Sequence, residues 1–216
     1  MLAAAVPARS GDRVLEGGSG AGAALLCLAA RVPNLQGVGV ECDPALIAIA
    51  GQNARDNGLA GLTFIAGDAT AMSDLGRFDH ALANPPYHPP AGTPSPDPAR
   101  QLAKRGGERS LSAWARALTA PLRHRGTLTF ILPAATLPQC LDAMTAAGCA
   151  VSAVLPLWPK AGQAAKLVLV QGVKGGRSPL RLFPGLVLHR AEGVYTAEAD
   201  AVLRGGAALT MIERAV

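Results

Sequence analysis

The sequence lacks long apolar runs, although half of its 216 residues are hydrophobic. No run approaches the roughly 18 apolar residues of a membrane-spanning helix. The first residues lack the basic start and the long apolar stretch of a secretory signal peptide. A composition this hydrophobic also excludes a disordered chain. We therefore expect a globular protein of the cytoplasm.

The cysteine and histidine patterns that mark metal sites or disulfide frameworks are also missing. The sequence contains no C-x-x-C pair, and its histidines have no ligand spacing. We expect no bound metal, and we interpret the cysteines as small buried residues in a reducing compartment. The residues concerned are Cys27, Cys42, Cys140 and Cys149, with His80, His88, His124 and His189.

The pattern of apolar segments predicts one domain over residues 1–216, without internal repeats or linkers. Strand-like and helical segments alternate, which predicts an α/β fold with a mostly parallel sheet and helices on both faces. Two closing strands, 150–157 and 166–173, lie close along the chain, so we expect a hairpin to add one antiparallel edge strand. Residues 186–216 form a C-terminal extension that the pattern does not place.

Charge is divided unevenly along the chain. Residues 1–99 contain 5 Lys and Arg against 9 Asp and Glu, whereas residues 100–216 contain 15 against 6. A basic C-terminal half suits a polyanionic partner such as RNA. A solvated surface without a partner is the alternative interpretation.

A glycine-rich loop follows the first expected strand, Arg13 to Glu16, and precedes an apolar helix from Ala23 to Ala30. This strand–loop–helix order is typical of a nucleotide-binding site, because glycines let the backbone approach a ligand and the helix N-terminus is electropositive. The loop alone does not separate a nicotinamide cofactor from S-adenosylmethionine. Two acidic residues follow later strands. Glu41 is placed to bind a ribose, and Asp68 is suited to accept a hydrogen bond from an adenine amino group.

The sequence Asn84-Pro85-Pro86-Tyr87 ends a further apolar strand. Two prolines cannot donate to a sheet ladder, so Asn84 is left at the strand tip, where α/β folds place their chemistry. The Asn84 side-chain carbonyl and the Pro85 backbone carbonyl are acceptors for both hydrogens of a planar –NH2 group. Tyr87 offers a ring on which a flat base can stack.

This tetrapeptide resembles the signature of amino-group methyltransferases that use S-adenosyl-L-methionine. Residues 16–22 resemble their first motif, D-x-G-x-G-x-G, with glutamate in place of aspartate. The resemblance implies a Rossmann-like, seven-stranded class I methyltransferase sheet. It implies that the catalytic residues are Asn84, Pro85, Pro86 and Tyr87. It implies that the cofactor is bound by Glu16, Gly18, Ser19, Gly20, Gly22, Glu41, Cys42, Asp68, Ala69 and Asn84.

Over nearly its whole length the chain also resembles bacterial tRNA adenine-N6 methyltransferases that modify the valine tRNA beside its anticodon. The similarity lies in residues 4–8, in the tetrapeptide with its basic, proline-rich sequel, and in residues 165–170 with 193–196. It implies a tRNA substrate, a substrate loop at residues 88–107, and an N-terminal segment that is short for the family. It implies RNA contacts from Arg100, Lys104, Arg105, Lys160 and Lys166.

Other functions fit part of the same pattern. A glutamine side-chain amide in a release factor and a guanine amino group in ribosomal RNA also present a planar –NH2 group. A binding protein could keep the fold without catalysis. A nicotinamide oxidoreductase would explain the glycine loop, but it gives no role to Asn84-Pro85-Pro86-Tyr87.

Overall fold

The computed structural model describes residues 1–72, 74–86 and 110–211, in which nine strands form one sheet. The strands are β1 (Arg13–Gly17), β2 (Gln36–Glu41), β3 (Leu62–Ala66), β4 (Phe78–Ala83), β5 (Leu122–Pro133), β6 (Cys149–Lys160), β7 (Leu167–Lys174), β8 (Arg181–Leu182) and β9 (Leu186–His189). The helices are α1 (Leu2–Ala5), α2 (Ala23–Arg31), α3 (Pro44–Asp56), α4 (Leu111–Thr119), α5 (Leu137–Ala146) and α6 (Ala197–Leu203).

The sheet confirms the predicted α/β class, with strand order β3-β2-β1-β4-β5-β7-β6-β8 and with β9 also paired to β6. Only β7 runs antiparallel to its neighbours within this described sheet. The expectation of an antiparallel edge strand is wrong in position, because β7 lies between β5 and β6. Hydrogen bonding on both sides satisfies the backbone of β7, which an edge position would not do.

Two short strands lie beyond the seven that the resemblance implies: β8, just before the C-terminal extension, and β9, at its start. Both β8 and β9 pair in parallel with the outer side of β6, and Phe183-Pro184-Gly185 separates them. Pro184 cannot donate to the ladder, which interrupts the pairing. A Cβ atom at Gly185 would lie 2.5 Å from the carbonyl oxygen of Pro156, so the chain passes close to β6 there. This segment covers an edge that would otherwise present unpaired backbone groups.

Apolar side chains cover both faces of the sheet. On one face, Phe78, Phe130 and Met144 belong to a buried cluster that includes residues of α4 and α5. On the other face, Leu28 and Leu169 belong to a cluster that includes residues of α1 and α2. This two-sided burial is the reason for the long apolar strands in the sequence.

The cysteine prediction is correct for half of the cysteines. Cys140 and Cys149 are buried, whereas Cys27 and Cys42 are exposed. Among the described residues, no group of three or more His, Cys, Asp or Glu side chains is placed to hold a metal ion. None of the six helices above has the length and apolarity needed to cross a bilayer.

The N-terminal segment is tied to the core by two long polar side chains. The Arg31 guanidinium of α2 donates to the carbonyl oxygens of Ala3 and Val6, at 3.1 and 2.9 Å. The buried Gln171 amide of β7 donates to the carbonyl oxygen of Ala5 at 2.9 Å. These bonds satisfy carbonyls that α1 is too short to pair within itself.

We predict that Arg31→Met lowers the free energy of unfolding by about 1–3 kcal/mol, because two buried carbonyls lose a charged donor. The methionine keeps an apolar stem of similar length, so the change isolates the guanidinium. The exposed Arg55 of α3 offers a matched control, and Arg55→Met should change stability by no more than about 0.5 kcal/mol. Urea unfolding measures both variants. Equal effects of the two substitutions would contradict this role for Arg31.

Candidate active site

The candidate site lies where the parallel strands β1 to β4 end. Their carboxyl ends meet at one edge of the sheet, which is where open α/β sheets bind ligands. A cleft of about 280 Å³ lies at this edge. It is lined by Gly18, Val40, Glu41, Cys42, Gly67, Ala69, Asn84, Pro86 and Trp114.

The glycine loop turns the chain sharply between β1 and α2. Gly18, Gly20 and Gly22 have φ angles of 66°, 54° and 88°, a region that side chains rarely adopt. A Cβ atom at Gly18 would also lie 3.2 Å from the ring of Trp114. Glycine is therefore required here both by backbone conformation and by the close approach of α4.

Glu16 joins the end of β1 to the start of α2. Its side chain is buried, and it accepts a hydrogen bond from the Leu25 backbone N–H at 3.2 Å. Gly22 precedes the helix and has no side chain to cap it, so the carboxyl group of Glu16 takes that place. The pKa of Glu16 is raised from 4.5 to about 8. Burial is the main cause, the hydrogen bond from Leu25 opposes it, and the charge of Glu41 adds to it.

Glu41 holds the glycine loop against the end of β2. One carboxylate oxygen accepts from the Gly20 backbone N–H at 2.9 Å, and the other accepts from the Cys42 and Asp43 N–H groups at 2.7 and 3.1 Å. A carboxylate has about four acceptor positions. Glu41 therefore keeps acceptor capacity for a ligand hydroxyl while it lines the cleft.

Asp68 lies beside the cleft but is not among its lining residues. Its side chain accepts from the backbone N–H and the hydroxyl of Thr70, at 2.9 and 2.8 Å. This turn fixes the chain after β3, and it leaves Gly67 and Ala69 in the wall of the cleft. A contact between Asp68 and an adenine amino group remains a prediction.

The tip of β4 presents its polar groups to the cleft. Asn84 is exposed, Pro85 is buried and Pro86 is exposed. Asn84 and Pro86 both line the cleft, with Asn84 directly after the last residue of the strand. The two prolines thus end the strand where the sequence predicts. Tyr87 lies outside the described residues, so its stacking role stays a prediction.

The remaining predicted cofactor residues lie around the cleft and not in its lining. Glu16 and Ser19 are buried, and Ser19 donates its backbone N–H to the carbonyl oxygen of Val40 at 3.0 Å. Gly22 packs so closely on α3 and β3 that a Cβ atom would lie 2.9 Å from the Phe64 ring. These residues shape the loop, and direct contact with a cofactor remains untested for them.

Three lining residues were missed by sequence reasoning. Val40 and Gly67 adjoin predicted positions, so their proximity to Glu41 and Asp68 was the available signal. Trp114 lies about 100 positions after the glycine loop, and only the packing of α4 over the end of β1 brings it to the cleft. In the sequence, Trp114 and Leu118 lie one helical turn apart, which indicates an apolar helix face and gives no signal of the cleft.

The predicted RNA contacts divide between described and undescribed parts of the chain. Lys160 ends β6 and Lys166 precedes β7, so both lie at the same sheet edge as Asn84. Across the sheet, Lys166 before β7 is two strand spacings from β4, about 10 Å, and Lys160 on β6 is three spacings away, about 14 Å. Lys160 also donates to the carbonyl oxygen of Ala191 at 2.7 Å. Arg100, Lys104, Arg105 and the proposed loop 88–107 lie outside the described residues.

The fold, the cleft and the strand-tip motif are those expected of a methyltransferase domain. Residues 8–115 match the family model described as a methyltransferase domain, and the chain belongs to this family. A solved "predicted O-methyltransferase" from Agrobacterium tumefaciens has the same fold, with a TM-score of 0.78, 22% identity and 96% of both chains covered.

Two named relatives differ in how much of their length is similar. The tRNA1(Val) (adenine(37)-N6)-methyltransferase of Actinobacillus succinogenes is 30% identical over 192 residues, which cover 86% of this chain and 78% of that protein. The release factor glutamine methyltransferase of Rhodospirillum rubrum is 36% identical over 88 residues. That match covers 41% of this chain, and the chain spans only 27% of the length of that relative.

The raised pKa of Glu16 predicts a specific dependence of stability on pH. Between its ordinary value of 4.5 and about 8, the folded protein keeps a proton that the unfolded chain has lost. The contribution of this group to the free energy of unfolding therefore falls as pH rises through that range. We expect the stability of the wild type, measured relative to Glu16→Gln, to decrease from pH 5 to pH 8.

Urea unfolding at several pH values measures this difference. An exposed control, Glu192→Gln, removes a carboxyl group from the surface, and its curve should follow that of the wild type. A constant difference between wild type and Glu16→Gln across the range would contradict the buried, protonated state of Glu16.

Proposed function

We propose that this protein transfers a methyl group from S-adenosyl-L-methionine to an exocyclic amino nitrogen, namely N6 of an adenine in tRNA. The observation that carries the proposal is the position of Asn84-Pro85-Pro86 at the tip of β4, beside a cleft that Glu41 and the glycine loop also form. This arrangement fits the cofactor. Glu41 accepts three internal hydrogen bonds and keeps acceptor capacity for one ribose hydroxyl, and Gly18 allows a close backbone approach.

The residues of the chain act by holding the amino group. The Asn84 side-chain carbonyl accepts one hydrogen of the target –NH2 group, and the Pro85 backbone carbonyl accepts the other. Held in this way, the nitrogen becomes more tetrahedral and its lone pair points toward the methyl donor. When bound, S-adenosyl-L-methionine supplies an activated methyl group on a sulfonium. Positioning therefore supplies most of the acceleration.

The preference for tRNA rests on the extent of similarity and on charge. The similarity to a tRNA adenine-N6 methyltransferase extends over most of both chains. Residues 100–216 carry 15 basic against 6 acidic residues, and Lys160 and Lys166 stand at the edge of the sheet that holds Asn84. A tRNA substrate would place the protein in the cytoplasm. We also propose that residues 1–216 act as one methyltransferase domain.

A glutamine amide is the second candidate acceptor. It is favoured by the 36% identity to a release factor glutamine methyltransferase, although that match spans 88 residues. The Asn84 and Pro85 carbonyls would hold an amide –NH2 group as they would hold an adenine amino group. The substrate must therefore be identified by experiment on both kinds of acceptor.

The decisive assay is transfer of a labelled methyl group to undermethylated bacterial tRNA, followed by nucleoside analysis. We expect N6-methyladenosine in the tRNA, and we expect Asn84→Ala to lower kcat by about 100-fold or more, because a positioning contact at the reacting atom is lost. Cofactor affinity, measured by calorimetry, should change little. Asn57→Ala, at the exposed end of α3, is the matched control and should keep full activity.

Label in a release factor and none in RNA would overturn the tRNA assignment while keeping the chemistry. Label in a guanine would place the enzyme among guanine methyltransferases. Equal turnover by the wild type and Asn84→Ala would remove Asn84 from the catalytic role.

A further inference from the structure

The indole N–H of Trp114 is a buried polar group without a partner. Trp114 is 6% exposed on α4, and its Nε1 atom has no hydrogen-bond partner in the described part of the chain. A buried donor left unpaired carries the full cost of its desolvation, so native proteins rarely keep one without a reason. A ligand that completes the hydrogen bond is such a reason.

Trp114 also lines the candidate cofactor cleft. Its six-membered ring lies against the glycine loop, where a Cβ atom at Gly17 or Gly18 would be 2.8 or 3.2 Å from it. In the strand order β3-β2-β1-β4, this position is between Glu41 at the end of β2 and Asn84 at the end of β4.

The side-chain N–H donors of the cleft are few. Of its nine lining residues, only Asn84 and Trp114 have side-chain N–H groups, and Glu41 brings a negative charge. If Glu41 binds the ribose and Asn84 holds the target amino group, the amino acid part of the cofactor lies between them, beside Gly18. Its carboxylate needs donors there, and a hydrogen bond to a charged acceptor is stronger than a neutral one.

We propose that the indole N–H of Trp114 donates a hydrogen bond to the carboxylate of the bound S-adenosyl-L-methionine. Trp114 is then a cofactor-binding residue of α4, outside the strand tips that form the rest of the cleft. The inference rests on the proposed cofactor, and its test is a binding measurement that separates the two.

The test compares two ligands by isothermal calorimetry. S-adenosylhomocysteine carries the amino acid carboxylate, whereas 5′-methylthioadenosine has the same nucleoside without it. We expect Trp114→Phe to weaken binding of S-adenosylhomocysteine by about tenfold, the effect of one lost hydrogen bond to a charged group. Binding of 5′-methylthioadenosine should change by less than about twofold.

A second variant keeps the volume of the indole. In the benzothiophene analogue of tryptophan, introduced at position 114, sulfur replaces the N–H group and the fused ring remains. It should reproduce the loss seen with Trp114→Phe, because both variants lack the donor. This variant separates the missing N–H from looser packing on Gly17 and Gly18.

Trp158 provides the matched control, since it is the other tryptophan of the chain. Its Nε1 atom donates to the carbonyl oxygen of Pro184 at 3.0 Å, so its hydrogen bond is internal. Trp158→Phe should leave the affinity for both ligands unchanged.

The outcomes separate the inference from the proposed function. Unchanged affinity of Trp114→Phe for S-adenosylhomocysteine would overturn the inference alone. Equal loss for both ligands would overturn the assignment to the carboxylate and indicate a packing role. Failure of the folded wild type to bind S-adenosylhomocysteine at all would overturn the proposed cofactor, and the inference with it.

Discussion

The candidate site depends on two carboxyl groups that hold the glycine loop from opposite sides. Glu16 accepts from the Leu25 N–H at the start of α2, and Glu41 accepts from the Gly20 N–H inside the loop. The first bond fixes the helix against β1, and the second fixes the loop against β2. Because β1 and β2 are parallel neighbours, the two bonds together fix the position of the loop relative to this edge of the sheet. The cleft forms between this loop and the tips of β3 and β4.

Much of this arrangement follows from local sequence. Apolar runs bounded by glycine or proline predict the strands, and the glycine loop with Glu41 predicts a nucleotide-type site because these residues adjoin strand ends. The end of β4 is predicted because Pro85 and Pro86 cannot continue a ladder. Each of these predictions depends only on a residue and its immediate neighbours in the sequence.

Other features arise only from packing between distant segments. The place of β7 between β5 and β6 depends on backbone pairing that a close hairpin alone does not specify. The contact of Trp114 with Gly17 and Gly18 joins segments nearly 100 residues apart. The capping role of Glu16 is also not predictable from the sequence. An acidic residue in this motif is interpreted as a cofactor ligand whether its side chain faces the cleft or the start of a helix.

The chemistry of the site and the choice of substrate have different physical origins. In the proposed mechanism, two carbonyl acceptors at the tip of β4 would select a planar amino group, and that selection would be the same for an adenine, a guanine or an amide. Discrimination among them must come from the surface that receives the rest of the substrate. The basic C-terminal half and the two lysines at the same sheet edge favour a polyanion.

The most direct test of the central claim is a crystal structure of the protein with S-adenosylhomocysteine and adenosine. We expect the adenine amino nitrogen to lie within about 3.2 Å of both the Asn84 side-chain oxygen and the Pro85 carbonyl oxygen, in the cleft beside Glu41. An amino nitrogen hydrogen-bonded to neither oxygen, with the nucleoside ordered in the cleft, would contradict it.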